Sequence, residues 1–301
     1  MLPVIGEFRP WTDATVTAIG RMPMHVPVER AMRKSLDGEW SFALFDHPDV
    51  VPESAITGEP SATTITVPGS WTMQDTGDHP HYTNVQMPFP GPAPALPARV
   101  TTGVYRRTFD APRSWKDTQI VLHVGAAESV HAVYINGSFV GYGTDSRLPS
   151  EYDVSKNVVI GTPNELAIVV IRYSADSYIE DQDQWWMAGL HRSVHIESRK
   201  LVHIADVRCD SDFDPATSGG SLSVTTQIGF VDAVQPGWTV RTTVRNPKGR
   251  QVGKAHVGPV PHEFAVPYIF SGHTVTAQWS IPAGAPWSAE TPNLYEVTCQ
   301  L

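Results

Sequence analysis

The chain has 301 residues, with 22 Lys and Arg against 31 Asp and Glu, giving a formal net charge of -9. That acidity, with no basic run, argues against a nucleic-acid partner; an apolar share of 41% with 18% charged residues is the balance of a globular chain. The two cysteines, Cys209 and Cys299, are too few for a disulfide-stapled secreted scaffold, and no signal-peptide pattern or run of membrane-spanning length is evident, so the expected compartment is cytoplasmic with no membrane partner.

Residues 1–29 read as a frayed N-terminal extension. Short strand-like runs then follow one another: EWSFALF from Glu39, TTITV from Thr63, VYRRTF from Val104, QIVLHV from Gln119 and SVHAVYI from Ser129. Between the second and third lies a proline-dense stretch, Tyr82 to Val100, which opens with a carboxamide, Asn84. Proline restricts φ, so such a loop either presents Asn84 rigidly to a ligand or is simply a long crossover. His79 and His81, two apart just upstream, read as a surface pair rather than a metal site. Asn136-Gly137 is a strong hairpin signal, and the loop after it, residues 141–155, holds Arg147, suited to clamping a carboxylate or carbonyls. The run ELAIVVIRY from Glu165 has the continuous apolarity of a central strand covered on both faces.

The segment EDQDQWW, residues 180–186, concentrates three carboxylates, two carboxamides and two indoles. If it is a strand, alternation sends Asp181 and Asp183 to one face and Glu180 and Gln182 to the other. Oxygen ligands beside flat apolar surface suit a sugar, whose hydroxyls need polar partners while its C–H faces stack on aromatics. Asp183 also suits a hard cation, although no calcium-hand loop surrounds it. The bland alternative is a solvated acidic edge strand with its tryptophans in a core.

The run HRSVHIES closes a first domain, residues 30–200, read as a jelly-roll β-sandwich. Beyond it the alternation is cleaner. Leu222, Val224, Thr226, Ile228 and Phe230 share one face, as do Val240, Thr242 and Val244, and Val275, Ala277, Trp279 and Ile281. Residues 201–301 therefore read as an immunoglobulin-like sandwich, making the fold class all-β. Cys209 and Cys299 fall on the inward phase of the first and last of these strands, which could be neighbours; a disulfide is then possible, but free thiols are the expectation. The chain stops within the alternating run YEVTCQL, which reads as a cut from something longer.

Six segments occur in order: SLDGEWSFALF (35–45), VPGSWTMQ (67–74), YTNV (82–85), VGYGTDSRLPSEYDV (140–154), EDQDQWW (180–186) and WSAETPNLYEV (287–297). Together they resemble the N-terminal part of bacterial β-galactosidases of glycoside hydrolase family 2; the DSRLPSE and EDQD segments set this branch apart from the related β-glucuronidases and β-mannosidases. The resemblance implies a sugar-binding-like jelly roll, an immunoglobulin-like domain and then a catalytic TIM barrel, expected after residue 301. It implies that Asn84 and Asp183 bind the galactoside and that Asp183 supplies part of a sodium site, with magnesium in the full-length enzyme. The two catalytic glutamates belong to the barrel, so no catalytic residue is assigned here and the chain alone is expected to be inactive. Hydrolysis of terminal β-galactosides such as lactose, a homo-oligomeric state and contact with the rest of the polypeptide are likewise implied. Trp186 stands where many relatives have arginine and receives no role. The competing readings are a stand-alone, lectin-like carbohydrate-binding module and a purely structural role in assembly.

Overall fold

The computed structural model describes residues 1–25, 32–84, 86–262 and 272–301. They divide into two compact units, the first of Met1–Met24 and residues 32–199, the second of His25 and the described residues of Lys200–Leu301. Among the described residues no helix is long and apolar enough to cross a membrane, and the one α-helix, α1, is Ser54–Thr57.

In the first unit the strands are, in chain order, β1 Ala18–Ile19, β2 Arg33–Ser35, β3 Gly38–Phe45, β4 Thr64–Val67, β5 Gly69–Ser70, β6 His81–Thr83, β7 Thr102–Asp110 and β8 Gln119–Val124. There follow β9 Val130–Ile135, β10 Ser138–Gly143, β11 Ser150–Asp153, β12 Pro163–Ile171, β13 Gln184–Trp186, β14 Gly189–Leu190 and β15 Val194–Arg199. A seven-stranded sheet runs β1-β10-β9-β12-β7-β3-β4 and a four-stranded sheet β11-β8-β15-β2; β13 with β6 and β14 with β5 form two short ribbons. The pairings are antiparallel throughout, as in a jelly roll. Asn136 and Gly137 carry φ of 50 and 77°, the positive values that a tight β9–β10 turn demands.

The inner faces of the two sheets enclose one core, in which Trp40, Trp71, Tyr105, Leu122, Ile168 and Ile196 are all but sealed from solvent. Central strand β12 also buries Ala167, Val169 and Ile171, on its other face. That outer face has its own apolar cover: Leu2, Ile5 and Trp11 from the N-terminus, Val51 and Ile56 around α1, Phe89 from the proline-dense loop, and Trp186. The opening residues are therefore not a frayed extension. Leu2, Ile5 and Trp11 lack any period, which hid them from pattern reading, yet they are at most 2% exposed. β1 adds itself to the sheet edge beside β10.

The second unit contains β16 Val202–Asp214, β17 Gly219–Phe230, β18 Thr239–Arg245, β19 His256–Pro259, β20 Thr274–Ile281 and β21 Glu296–Gln300. These form two three-stranded sheets, β16-β17-β20 and β19-β18-β21, as expected of an immunoglobulin-like sandwich. The side chains read as inward are the ones that pack: Leu222, Val224, Ala277 and Trp279 meet Val244 in one cluster, and Ile228 and Val275 meet Val240 in another. Both cysteines are free thiols. They do not lie in neighbouring strands, because β16 and β21 belong to opposite sheets. Cys209 is exposed despite its inward phase, since β16 is an edge strand; Cys299 is half-buried and receives a hydrogen bond from Thr226 Oγ1 at 3.3 Å.

Candidate functional site

The ribbon of β6 and β13 brings the two candidate ligand-binding residues together. Its register pairs Gln184 with Thr83, Trp185 with Tyr82 and Trp186 with His81. Asn84 follows the last paired residue of β6 and Asp183 precedes the first of β13, and both meet the Tyr82 hydroxyl. Period two then sorts the side chains. Thr83 and Trp186 turn inward, where Trp186 Nε1 donates to Thr83 Oγ1 at 3.0 Å and both side chains are buried. Tyr82, Asn84, Asp183 and Trp185 share the wet side, and all four are exposed. Tyr82 and Trp185 lie with ring centroids 5.6 Å apart, and Tyr82 Oη donates to Asp183 Oδ1 at 2.7 Å. Asp183 sits on the diagonal from Tyr82, within the reach of a long aromatic side chain across an antiparallel pair. The hydrogen bond to Asp183 raises the pKa of the Tyr82 phenol, burial and the charge of Asp183 add to that rise, and a hydrogen bond with Asn84 opposes it.

Three anchors hold this ribbon to the sandwich. On the β6 side, buried Asp78 accepts from Trp71 Nε1 at 2.9 Å, from Thr101 Oγ1 at 2.8 Å and from Arg172 Nη1 at 2.8 Å, while Arg172 Nη2 donates to the His79 carbonyl at 2.8 Å. Burial works against the Asp78 carboxylate, but these bonds and the Arg172 charge outweigh it and lower its pKa. Beyond Asn84, the proline-dense loop is pinned by Phe89 packing edge-on against Tyr173 and Tyr178, and by Tyr178 Oη donating to the Ala95 carbonyl at 2.6 Å. On the β13 side, Arg147 donates to Glu128 at 2.8 Å and to Gln184 Oε1 at 3.1 Å, and Glu128 accepts from the Met187 amide at 2.9 Å. Arg147 thus clamps a carboxylate. Burial raises the pKa of Glu128, and the bonds from Arg147 and Met187 temper that rise.

The acidic segment itself departs from the expected strand. Only Gln184–Trp186 is extended into a ladder; residues 180–183 are irregular. A 3-10 turn at Ala175–Tyr178, with Ser174 and Ser177 capping one another, delivers the chain to this point. Glu180 then binds the Ser146 amide at 2.7 Å and the Ser146 hydroxyl, so it ties two loops together rather than alternating with Asp181. Of the two tryptophans Trp185 is 55% exposed and Trp186 3%. Asp183 thus offers an exposed carboxylate with one oxygen engaged by Tyr82, which leaves a second oxygen for a ligand. With the carboxamide of Asn84 nearby, this is an oxygen-rich partial shell of the kind a hard cation or a sugar hydroxyl accepts. His79 contributes its carbonyl to Arg172, and among the described residues no cluster of His, Cys, Asp and Glu is built to hold a metal ion alone. Pattern reading missed Tyr82, although its signal was present: it lies two residues before Asn84 and hence on the same face.

Two family models cover nearly the whole chain: the sugar-binding domain of glycosyl hydrolases family 2 matches residues 33–199, and the domain described as glycosyl hydrolases family 2 matches residues 202–301. The chain is 33% identical to a β-galactosidase of Aeromonas hydrophila over 333 aligned residues, covering 100% of the chain and 31% of that protein. It is 31% identical to a β-galactosidase of Psychromonas ingrahamii, covering 97% of the chain and 29% of that protein. The chain thus spans about a third of the length of these relatives. Among solved structures, a Bifidobacterium dentium β-glucuronidase complexed with coumarin-3-O-glucuronide superposes with a TM-score of 0.69 at 18% identity, over 92% of the chain and 46% of that one. A Lactobacillus rhamnosus β-glucuronidase gives 0.65 at 16%, over 93% and 43%. At such identities the likeness is one of fold.

Proposed function

The chain belongs to glycoside hydrolase family 2, and from that premise we propose that it forms the substrate-facing β domains of a retaining β-galactosidase. One observation carries the reading. Asn84 and Asp183, from segments far apart in sequence, are both exposed at the same end of one anchored ribbon, where the Tyr82 hydroxyl bonds to each. A carboxamide that both donates and accepts, beside a carboxylate that accepts, matches adjacent hydroxyls of a terminal β-galactoside such as lactose.

The fit to a sodium ion rests on the free oxygen of Asp183 and on exposure to a space that neighbouring chain would have to complete. Asp183 would hold the ion through that oxygen, with its remaining ligands from elsewhere in the polypeptide. When bound, the ion supplies a positive centre that orients a substrate hydroxyl. Magnesium, expected in the full-length enzyme, is assigned to no residue of this chain. The acid/base and nucleophile are assigned to two barrel glutamates with carboxyl groups about 5 Å apart, the spacing for retention. Asn84 and Asp183 therefore bind and orient; they do not attack. The barrel is the principal partner, and a homo-oligomer is the expected assembly.

Losing a hydrogen bond to a charged group in a desolvated site typically costs about 1.5–3 kcal/mol. In the intact polypeptide Asp183→Ala is expected to lower kcat/KM on a nitrophenyl β-galactoside at least about tenfold. Turnover at the wild-type level in that variant would remove the assignment.

A further inference from the structure

The hydroxyl of Tyr82 lies on the exposed side of the ribbon, and the contact of its ring with Trp185 does not require it. The ring is already held: Tyr82 is paired with Trp185 across the ribbon, with centroids 5.6 Å apart. Phenylalanine would fill that place equally well. Oη, however, reaches Asp183 Oδ1 at 2.7 Å, the length of a hydroxyl donating to an ionised carboxylate. An exposed carboxylate otherwise turns about its side-chain torsions and presents either oxygen. Here one oxygen is fixed and the other is left for a ligand, while the lone pairs of the phenol are available to the Asn84 amide.

We propose that Tyr82 is a positioning residue: its ring, locked on Trp185, aims a hydroxyl that orients the Asp183 carboxylate toward substrate and cation. The proposal rests on the reading of Asp183 as a ligand-binding residue and adds the device that sets its geometry. Tyr82 touches no reacting atom in this scheme. It acts only through Asp183, and that dependence is what a measurement can isolate.

The test is a double-mutant cycle in the intact polypeptide, with kcat/KM on a nitrophenyl β-galactoside and the half-saturating sodium concentration as the two readouts. Tyr82→Phe keeps the ring on Trp185, so an unchanged melting temperature is expected together with a fall in kcat/KM of about five- to tenfold. Half-saturating sodium is expected to rise by a similar factor. In an Asp183→Ala background the same substitution should change neither readout. A Tyr82→Phe enzyme that matches wild type overturns the proposal, and so does an equal loss in both backgrounds, which marks a structural effect independent of Asp183. Failure of the underlying reading looks different: there Asp183→Ala itself keeps wild-type turnover.

Discussion

At the scale of single residues, two buried ionisable groups set how the fold responds to substitution and to acid. Asp78 and Arg172 are 5% and 6% exposed, and each is the other's main charge partner. Removing one member of such a pair leaves the other charged and buried, which typically costs about 3–5 kcal/mol. Asp78→Asn is therefore expected to destabilise the first unit by about 3 kcal/mol in urea unfolding, and a shift below about 1 kcal/mol would show that solvent reaches Arg172 more easily than its burial implies. His131 accounts for a different behaviour. Its Nε2, on the seven-stranded sheet, lies 2.9 Å from Tyr152 Oη of the four-stranded one, and burial, helped by the Arg21 charge, lowers its pKa to about 3 from 6.5. The unfolded chain binds this proton as pH drops below 6.5, whereas the folded chain resists until about pH 3. Stability conferred at neutral pH is thus lost as pH falls through that window, by about 1.4 kcal/mol per unit for one proton. His195, lowered to about 4 by burial, acts in the same sense. Asp176, raised to about 6 by burial and by Glu180, acts in the opposite one. Because these other groups are common to both proteins, the comparison isolates His131: unfolding free energies of wild type and His131→Gln should converge on acidification from pH 6.5 to 4. Parallel curves would show that His131 titrates normally.

At the scale of elements, the site is a two-residue-period ribbon whose inner side is structural and whose outer side is free to bind. Cutting an anchor should loosen the outer side without touching it. Glu128 is 4% exposed and shares its carboxylate between Arg147 and the Met187 amide. Arg147→Ala leaves that carboxylate without its cation. Arg147 is itself 44% exposed, so solvent screens part of the loss; a destabilisation of about 1–3 kcal/mol is expected. Arg147→Lys should recover part of it, because lysine restores the charge but not the second bond to Gln184. Equal melting temperatures for all three proteins would show that the clamp contributes nothing. Much of this element was legible from the sequence. The clamping role of Arg147 followed from residue type and neighbourhood, whereas residue type only marked Asn84 and Asp183 as candidates beside blander readings, and their binding roles rest on the resemblance. The path of residues 180–183 did not follow, because alternation describes a chain only while a partner strand holds it. There Ser146 captures Glu180, a contact between loops that no period encodes. Tyr82 was missed for the complementary reason: a tyrosine in a strand reads as packing, and the use of its hydroxyl depends on which residue lies diagonally across the ribbon.

At the scale of the whole chain, strict alternation made the second unit almost fully readable, since each of its sheets has one wet face. The first unit was harder because its seven-stranded sheet is buried on both sides, and a strand such as β12 then loses its period. The same fact implies a cover, and part of that cover is aperiodic chain at the N-terminus. Leu2, Ile5 and Trp11 are 2%, 0% and 1% exposed and pack in the cluster that contains Tyr134, Tyr142 and Val169. Tyr134 Oη also donates to the Pro3 carbonyl at 2.9 Å. Burying one large apolar side chain contributes about 1.5–3 kcal/mol, so these three together supply about 4.5–9 kcal/mol, a large share of the roughly 5–15 kcal/mol that typically separates folded from unfolded states. Deleting residues 1–16 removes all three while leaving β1 intact. The truncated protein is expected to unfold at a melting temperature lower by more than about 10 °C and to bind a hydrophobic dye in its folded state. The two halves of that expectation have separate causes: the lower melting temperature follows from lost burial, and the dye follows from the bared outer face of the large sheet. A truncated chain that melts with the full one and stays dark to the dye would mean that the sheet finds its cover elsewhere, and that the opening residues are ornament after all.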